Sequence, residues 1–206
     1  HYYNPLLLSL YGLFENWLKR LCDLDSMRDF SKVTIGDLAG NNYIEKSRKY
    51  LEIVAEINLD RTEKTWNKIR QIQKIRNSIA HHEANIRTNK SKELNEQELF
   101  HILKNDNRIE LNETLGNFFI KDKEFLFEVI QLISDYLNVI IEKLSNRKVL
   151  ARNTTMPYNN AGWGQEKLEN IIWKLVNVLD LLEEFEKKTD EFRETDFKEN
   201  LYNTIY

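Results

Sequence analysis

Apolar residues recur at three- and four-residue steps along most of this chain, the period of a helix with one buried face. Leu7, Leu10, Tyr11, Phe14, Trp17, Leu18 and Leu21 predict a first helix over residues 5–24. A polar connection punctuated by Gly36 and Gly40 follows. Tyr50, Leu51, Val54 and Ile57 predict a second helix over 43–58. Trp66, Ile69, Ile72, Ile75 and Ile79 predict a third over 61–83, with Asp60 or Thr62 as its cap. A polar loop over 85–92 leads to a short helix near 95–103, and then the period changes. Residues 108–111 and 117–120 read as the strands of a small hairpin, with Gly116 among the turn residues between them. Phe125, Leu126, Val129, Ile133, Tyr136, Leu137, Ile140, Ile141 and Leu144 restore the helical period over 123–146. Loop formers fill 151–164, and a stripe from Leu168 to Phe185 predicts a last helix with a charged tail.

Composition agrees with this pattern. Only 6 Gly and 2 Pro occur in 206 residues, too few for the turns of a β-rich fold. The expectation is an all-α protein: a helical domain over 1–150 with a small hairpin insertion, then a linker and helical extension over 151–206. That extension would pack on the same core or in a dimer interface. The one cysteine, Cys22, cannot form an internal disulfide, which suits a reducing, cytoplasmic setting. It follows an apolar run and reads as a core residue, as do Trp17, Trp66 and Trp173. The apolar run over 6–14 is too short to span a membrane, and no membrane partner is expected.

Charge is distributed unevenly. Between Arg61 and Lys92 there are nine basic residues, Arg61, Lys64, Lys68, Arg70, Lys74, Arg76, Arg87, Lys90 and Lys92. Only Glu63 and Glu83 oppose them, a local excess of seven positive charges in a chain whose net charge is -3. A basic island in an acidic protein points to a polyanion partner. Lys68, Arg70, Lys74 and Arg87 are the expected contacts to an RNA backbone, the alternative being a solvated basic face.

The island contains Arg76-Asn77-Ser78-Ile79-Ala80-His81, followed by His82. A guanidinium can bridge two phosphate oxygens, and an imidazole exchanges protons near neutrality. On a helix Asn77 and His81 share a face, while Arg76 and His81 diverge by about 140°. Arg76 must therefore reach round, or face a groove at the helix end. RNA carries its own nucleophile, the 2′-hydroxyl, so a base, an acid and a cation suffice for cleavage. Neighbouring His81 and His82 point about 100° apart on a helix, with no Cys or Asp at a familiar ligand spacing. Neither a Gly-rich phosphate loop nor a nucleophile elbow is visible, so no metal or cofactor is expected. Glu15 interrupts the apolar face of the first helix and is a candidate partner for Arg76. A bland reading competes: a histidine at a helix C-terminus also interacts favourably with the dipole.

The spacing Arg-Asn-x-x-x-His resembles the signature of HEPN domains, all-α modules that often act as metal-independent ribonucleases. The resemblance covers roughly residues 5–146. It includes an apolar first helix with an internal acid, a basic helix ending in the motif, a small polar insertion and a final amphipathic helix. It implies that Arg76 and His81 are the catalytic pair, with Asn77 as polar neighbour. His82 is also eligible, because the family tolerates four to six intervening residues. It further implies a homodimer with a shared site, products ending in a cyclic phosphate, and a role as a toxin or antiphage effector with an antitoxin or defence partner. Glu83 or Ala84 stands where some HEPN toxins carry a tyrosine that their antitoxin modifies, which argues against that control. The alternatives are a non-catalytic HEPN dimerisation module that binds RNA or a partner protein, and a purely structural helical domain.

Overall fold

The computed structural model describes residues 3–29, 31–87, 89 and 91–146. These are mostly helical, with a small two-stranded antiparallel sheet. The predicted linker and extension over 151–206, with Trp163 and Trp173, lie outside the described residues, as does Lys90.

Helix α1 (Tyr3–Asp29) outruns its predicted end. The carboxylates near residue 24 look like a loop signal, but Asp25 turns inward, 5% exposed, and accepts from the Tyr50 hydroxyl at 3.3 Å. Asn42 caps α2 (Tyr43–Lys49) by accepting the Glu45 N–H at 2.9 Å. The predicted single helix to residue 58 instead passes into a π-helical turn, Tyr50–Val54. That wider turn brings Tyr50 and Leu51 inward side by side, both fully buried. Glu56 then takes a left-handed φ of 54° to leave it.

Asp60–Thr62 form a 3-10 turn before α3 (Glu63–His81). Thr62 stands at the cap position without capping; its hydroxyl donates to the Leu59 carbonyl at 2.6 Å. Helix α4 (Glu98–Lys104) precedes strands β1 (Ile109–Leu111) and β2 (Phe118–Ile120). Their register pairs Ile109 with Ile120 and Leu111 with Phe118, so the predicted hairpin is present. The last described helix is α5 (Glu124–Asn146).

The core forms where α1 meets α2, α3 and α5, and where α3 meets α5. Leu7, Phe14 and Leu18 of α1, Ile69 and Ile75 of α3, and Val129, Tyr136 and Ile140 of α5 are buried there. Each such side chain contributes roughly 1.5–3 kcal/mol, more than the propensity differences along any one helix. An aromatic path crosses this core. Tyr11 meets Phe14 edge-on at 5.8 Å, Phe14 meets Tyr136 at 6.2 Å, and Tyr136 stacks on Trp66 at 5.6 Å. Trp17 departs from the expected core position: it is half-exposed, with the Arg20 guanidinium 5.7 Å from its ring. Cys22 is buried, and burial pushes its thiol up to about 12.

Candidate active site

Helix α3 ends in a turn that bonds back on itself. The N–H groups of His82 and Ala84 both reach the Ser78 carbonyl, at 2.9 and 3.1 Å. The Ser78 hydroxyl donates to the Asn85 carbonyl at 2.8 Å. Ser78 is therefore buried where the apolar pattern predicts Ile79, which is only half-buried. The reversal requires left-handed backbone at two successive non-glycine residues, Glu83 at φ 52° and Ala84 at φ 56°. Each costs roughly 1–2 kcal/mol. The hairpin offsets that cost. Phe118 N–H donates to the Ala84 carbonyl at 2.9 Å, and Ile86 N–H to the Gly116 carbonyl at 3.0 Å. The Asn85 side-chain amide donates to Leu115 O at 3.0 Å and Asn117 Oδ1 at 3.2 Å. The small insertion thus clamps the end of the motif.

Arg76 turns toward α1 and is 25% exposed. Its Nη1 donates to Asn77 Oδ1 at 3.1 Å. Its Nη2 lies 3.8 Å from Glu15 Oε2, an ion pair longer than a hydrogen bond. At this exposure such a pair contributes at most about 1 kcal/mol. The guanidinium carbon sits 5.8 Å from the centre of the Tyr11 ring. Nε is buried and has no hydrogen-bond partner among the described residues. One of the five guanidinium N–H groups is thus committed.

Two other inward arginines differ. Arg108 is held by Asp106 at 2.7 Å and Glu128 at 2.7 Å, against the Phe125 ring. Arg48 pairs with Glu52 at 2.8 Å and with Glu63, over the Trp66 ring. Its Nη1 is also unpartnered, but two carboxylates neutralise the group. Arg76 keeps the most donor capacity of the three.

Tyr11 was not among the predicted site residues; on sequence it is one more member of an apolar stripe. It is 1% exposed, and its hydroxyl has no hydrogen-bond partner among the described residues. Burial and then the Glu15 charge push this phenol well above its ordinary range, while Arg76 pulls it down.

His81 and His82 are both exposed, and neither imidazole has a partner among the described residues. Arg76 and His81 therefore face different ways, and Asn77 is the group between them. Asn67, Arg70, Lys74, Asn77 and His81 run along one outer face of α3. Two of the predicted RNA contacts are already neutralised. Lys68 pairs with Glu128 at 3.0 Å, and Lys74 pairs with Glu98. Arg70 and Arg87 are exposed with no side-chain partner among the described residues. His101 is exposed and lies edge-on to Phe100 at 5.5 Å.

Among the described residues no group of three or more His, Cys, Asp or Glu is arranged to hold a metal ion. No described helix is long and apolar enough to cross a membrane. Two surface hollows, along the C-terminal half of α5 and beside Ile57, share no residue with the motif. No family model, curated protein or solved structure matches the chain.

Proposed function

We propose that this chain is a HEPN-type endoribonuclease that cleaves RNA without a metal, acting as a homodimer in a prokaryotic toxin or antiphage system. The observation that carries the reading is Arg76, half-buried beside Asn77 with most of its donors open, while the other inward arginines are occupied by carboxylates. Arg76 binds the scissile phosphate and the charge that builds on it. A His81 imidazole takes the 2′-hydroxyl proton as that oxygen attacks phosphorus. The bond to the 5′-oxygen breaks, and a second imidazole protonates the leaving oxygen. The products are a 2′,3′-cyclic phosphate and a 5′-hydroxyl. Arg76 and His81 diverge on α3, so one copy does not aim both at one phosphate. Two copies about a two-fold axis supply two imidazoles and two guanidinium groups. Arg70 and Arg87 guide the backbone.

The test compares tRNA and total-RNA cleavage by wild type with that by Arg76→Ala, His81→Ala and His82→Ala. Losses of at least roughly 100-fold are expected for Arg76→Ala and His81→Ala, and little loss for His82→Ala. Full activity of His81→Ala would overturn the assignment. One observation favours a second reading, a non-catalytic HEPN module that binds RNA or a partner protein. Neither imidazole has a neighbour that fixes its tautomer. That reading predicts salt-sensitive RNA binding with no cleavage.

A further inference from the structure

Two buried donors at the α1–α3 contact have no hydrogen-bond partner among the described residues. One is Arg76 Nε, and the other is the Tyr11 hydroxyl. Buried polar groups are almost always hydrogen-bonded, and a missing partner is destabilising. Phenylalanine would fill the same position at the α1–α3 contact without that cost. The Tyr11 ring already has neighbours, Phe14 edge-on and the Arg76 guanidinium, each 5.8 Å from its centre. The hydroxyl adds nothing to that packing. Its surroundings are charged: Glu15, Arg76 and Glu45 all bear on it electrostatically. The long Glu15–Arg76 separation of 3.8 Å leaves the guanidinium free to turn toward an incoming anion.

We infer that Tyr11 is a phosphate-binding residue, its hydroxyl donating to a phosphate oxygen of RNA held at Arg76. The inference rests on the RNA reading above and extends it to a residue on another helix. A phosphate oxygen reaches the two orphan donors as the Arg76 guanidinium turns outward and uncovers them, and it then gives both an acceptor. The contact is a neutral donor on a charged acceptor, worth about tenfold or more in affinity. Because Tyr11 carries no charge, its contact with phosphate releases no counterion, whereas the contact of Arg76 does.

The test uses the full chain as wild type, Tyr11→Phe and Arg76→Ala. Binding of a fluorescein-labelled 2′-O-methyl RNA oligonucleotide is measured across a salt series, and thermal unfolding is measured in parallel. Tyr11→Phe should melt at the same temperature as wild type or higher, bind about tenfold more weakly and keep the wild-type salt slope. Arg76→Ala should bind more weakly with a slope shallower by about one. If Arg76→Ala weakens binding and Tyr11→Phe does not, the hydroxyl is idle and the inference fails while the RNA reading stands. A Tyr11→Phe protein that loses stability along with affinity makes the hydroxyl structural and also overturns it. If neither variant changes binding, the RNA reading itself fails.

Discussion

Gly116 and Ala84 sit on the two sides of the clamp that ends α3, and both hold the backbone at positive φ. Gly116 has φ 82°, and a Cβ there would lie 2.9 Å from Leu94 Cδ1 and 3.0 Å from Asn85 Oδ1. Gly116→Ala should therefore destabilise the protein by about 1–3 kcal/mol. Ala84 holds a left-handed φ of 56° with a side chain present, so Ala84→Gly should stabilise it by about 1 kcal/mol. Urea unfolding checks both signs, and a destabilised Ala84→Gly would contradict the strain at this turn. Arg76 and Asn77 were legible as candidates from the motif they belong to, and Glu15 because it interrupts an apolar stripe. Tyr11 was not, since a tyrosine inside a helical stripe looks like core until its hydroxyl is seen to lack a partner. Ser78 and Asn85 were equally hidden. Their roles depend on a hydrogen bond across a left-handed turn and on a hairpin some thirty residues further along the chain.

At the scale of elements, helix existence followed from period, and helix ends did not. α1 runs past a cluster of acids because one of them is buried against Tyr50, and α2 changes its winding so that Tyr50 and Leu51 both turn inward. Both outcomes are set by packing partners distant in sequence. The join between the hairpin and α5 has a clear electrostatic signature. Hydrogen bonds from Arg108 hold the Asp106 carboxyl below its usual range, and Arg108 with Lys68 does the same for Glu128. A carboxyl depressed in the folded state stabilises above its unfolded pKa, near 4, and that contribution is lost as pH falls through the folded value. Arg108→Leu should therefore cost about 1–3 kcal/mol at pH 7, mainly through Asp106, since the more exposed Glu128 is screened. The gap between variant and wild type should narrow as pH falls below about 4 and through the depressed folded values. Unfolding at pH 7 and in acid checks this, and a gap that widens in acid would contradict it.

For the molecule as a whole, net charge is a poor guide and local charge only a partial one. The basic island is real in sequence, but α4 and α5 return carboxylates to Lys74 and Lys68, while Arg61, Lys64, Arg70, Arg87 and Lys92 are exposed with no ion pair among the described residues. The all-α character and the hairpin were legible from periodicity and from the scarcity of glycine and proline. The clamp, which joins the hairpin to the motif, was not, because no local pattern records which turn a strand will meet. The proposed reaction cleaves RNA through its own 2′-hydroxyl, with guanidinium and imidazole groups and no metal. The ends of RNA fragments produced in excess EDTA test it most directly. Cyclic phosphate and 5′-hydroxyl termini, made by wild type and absent with His81→Ala, are the predicted result. Cleavage that stops in EDTA, or that leaves 5′-phosphate ends, would contradict it.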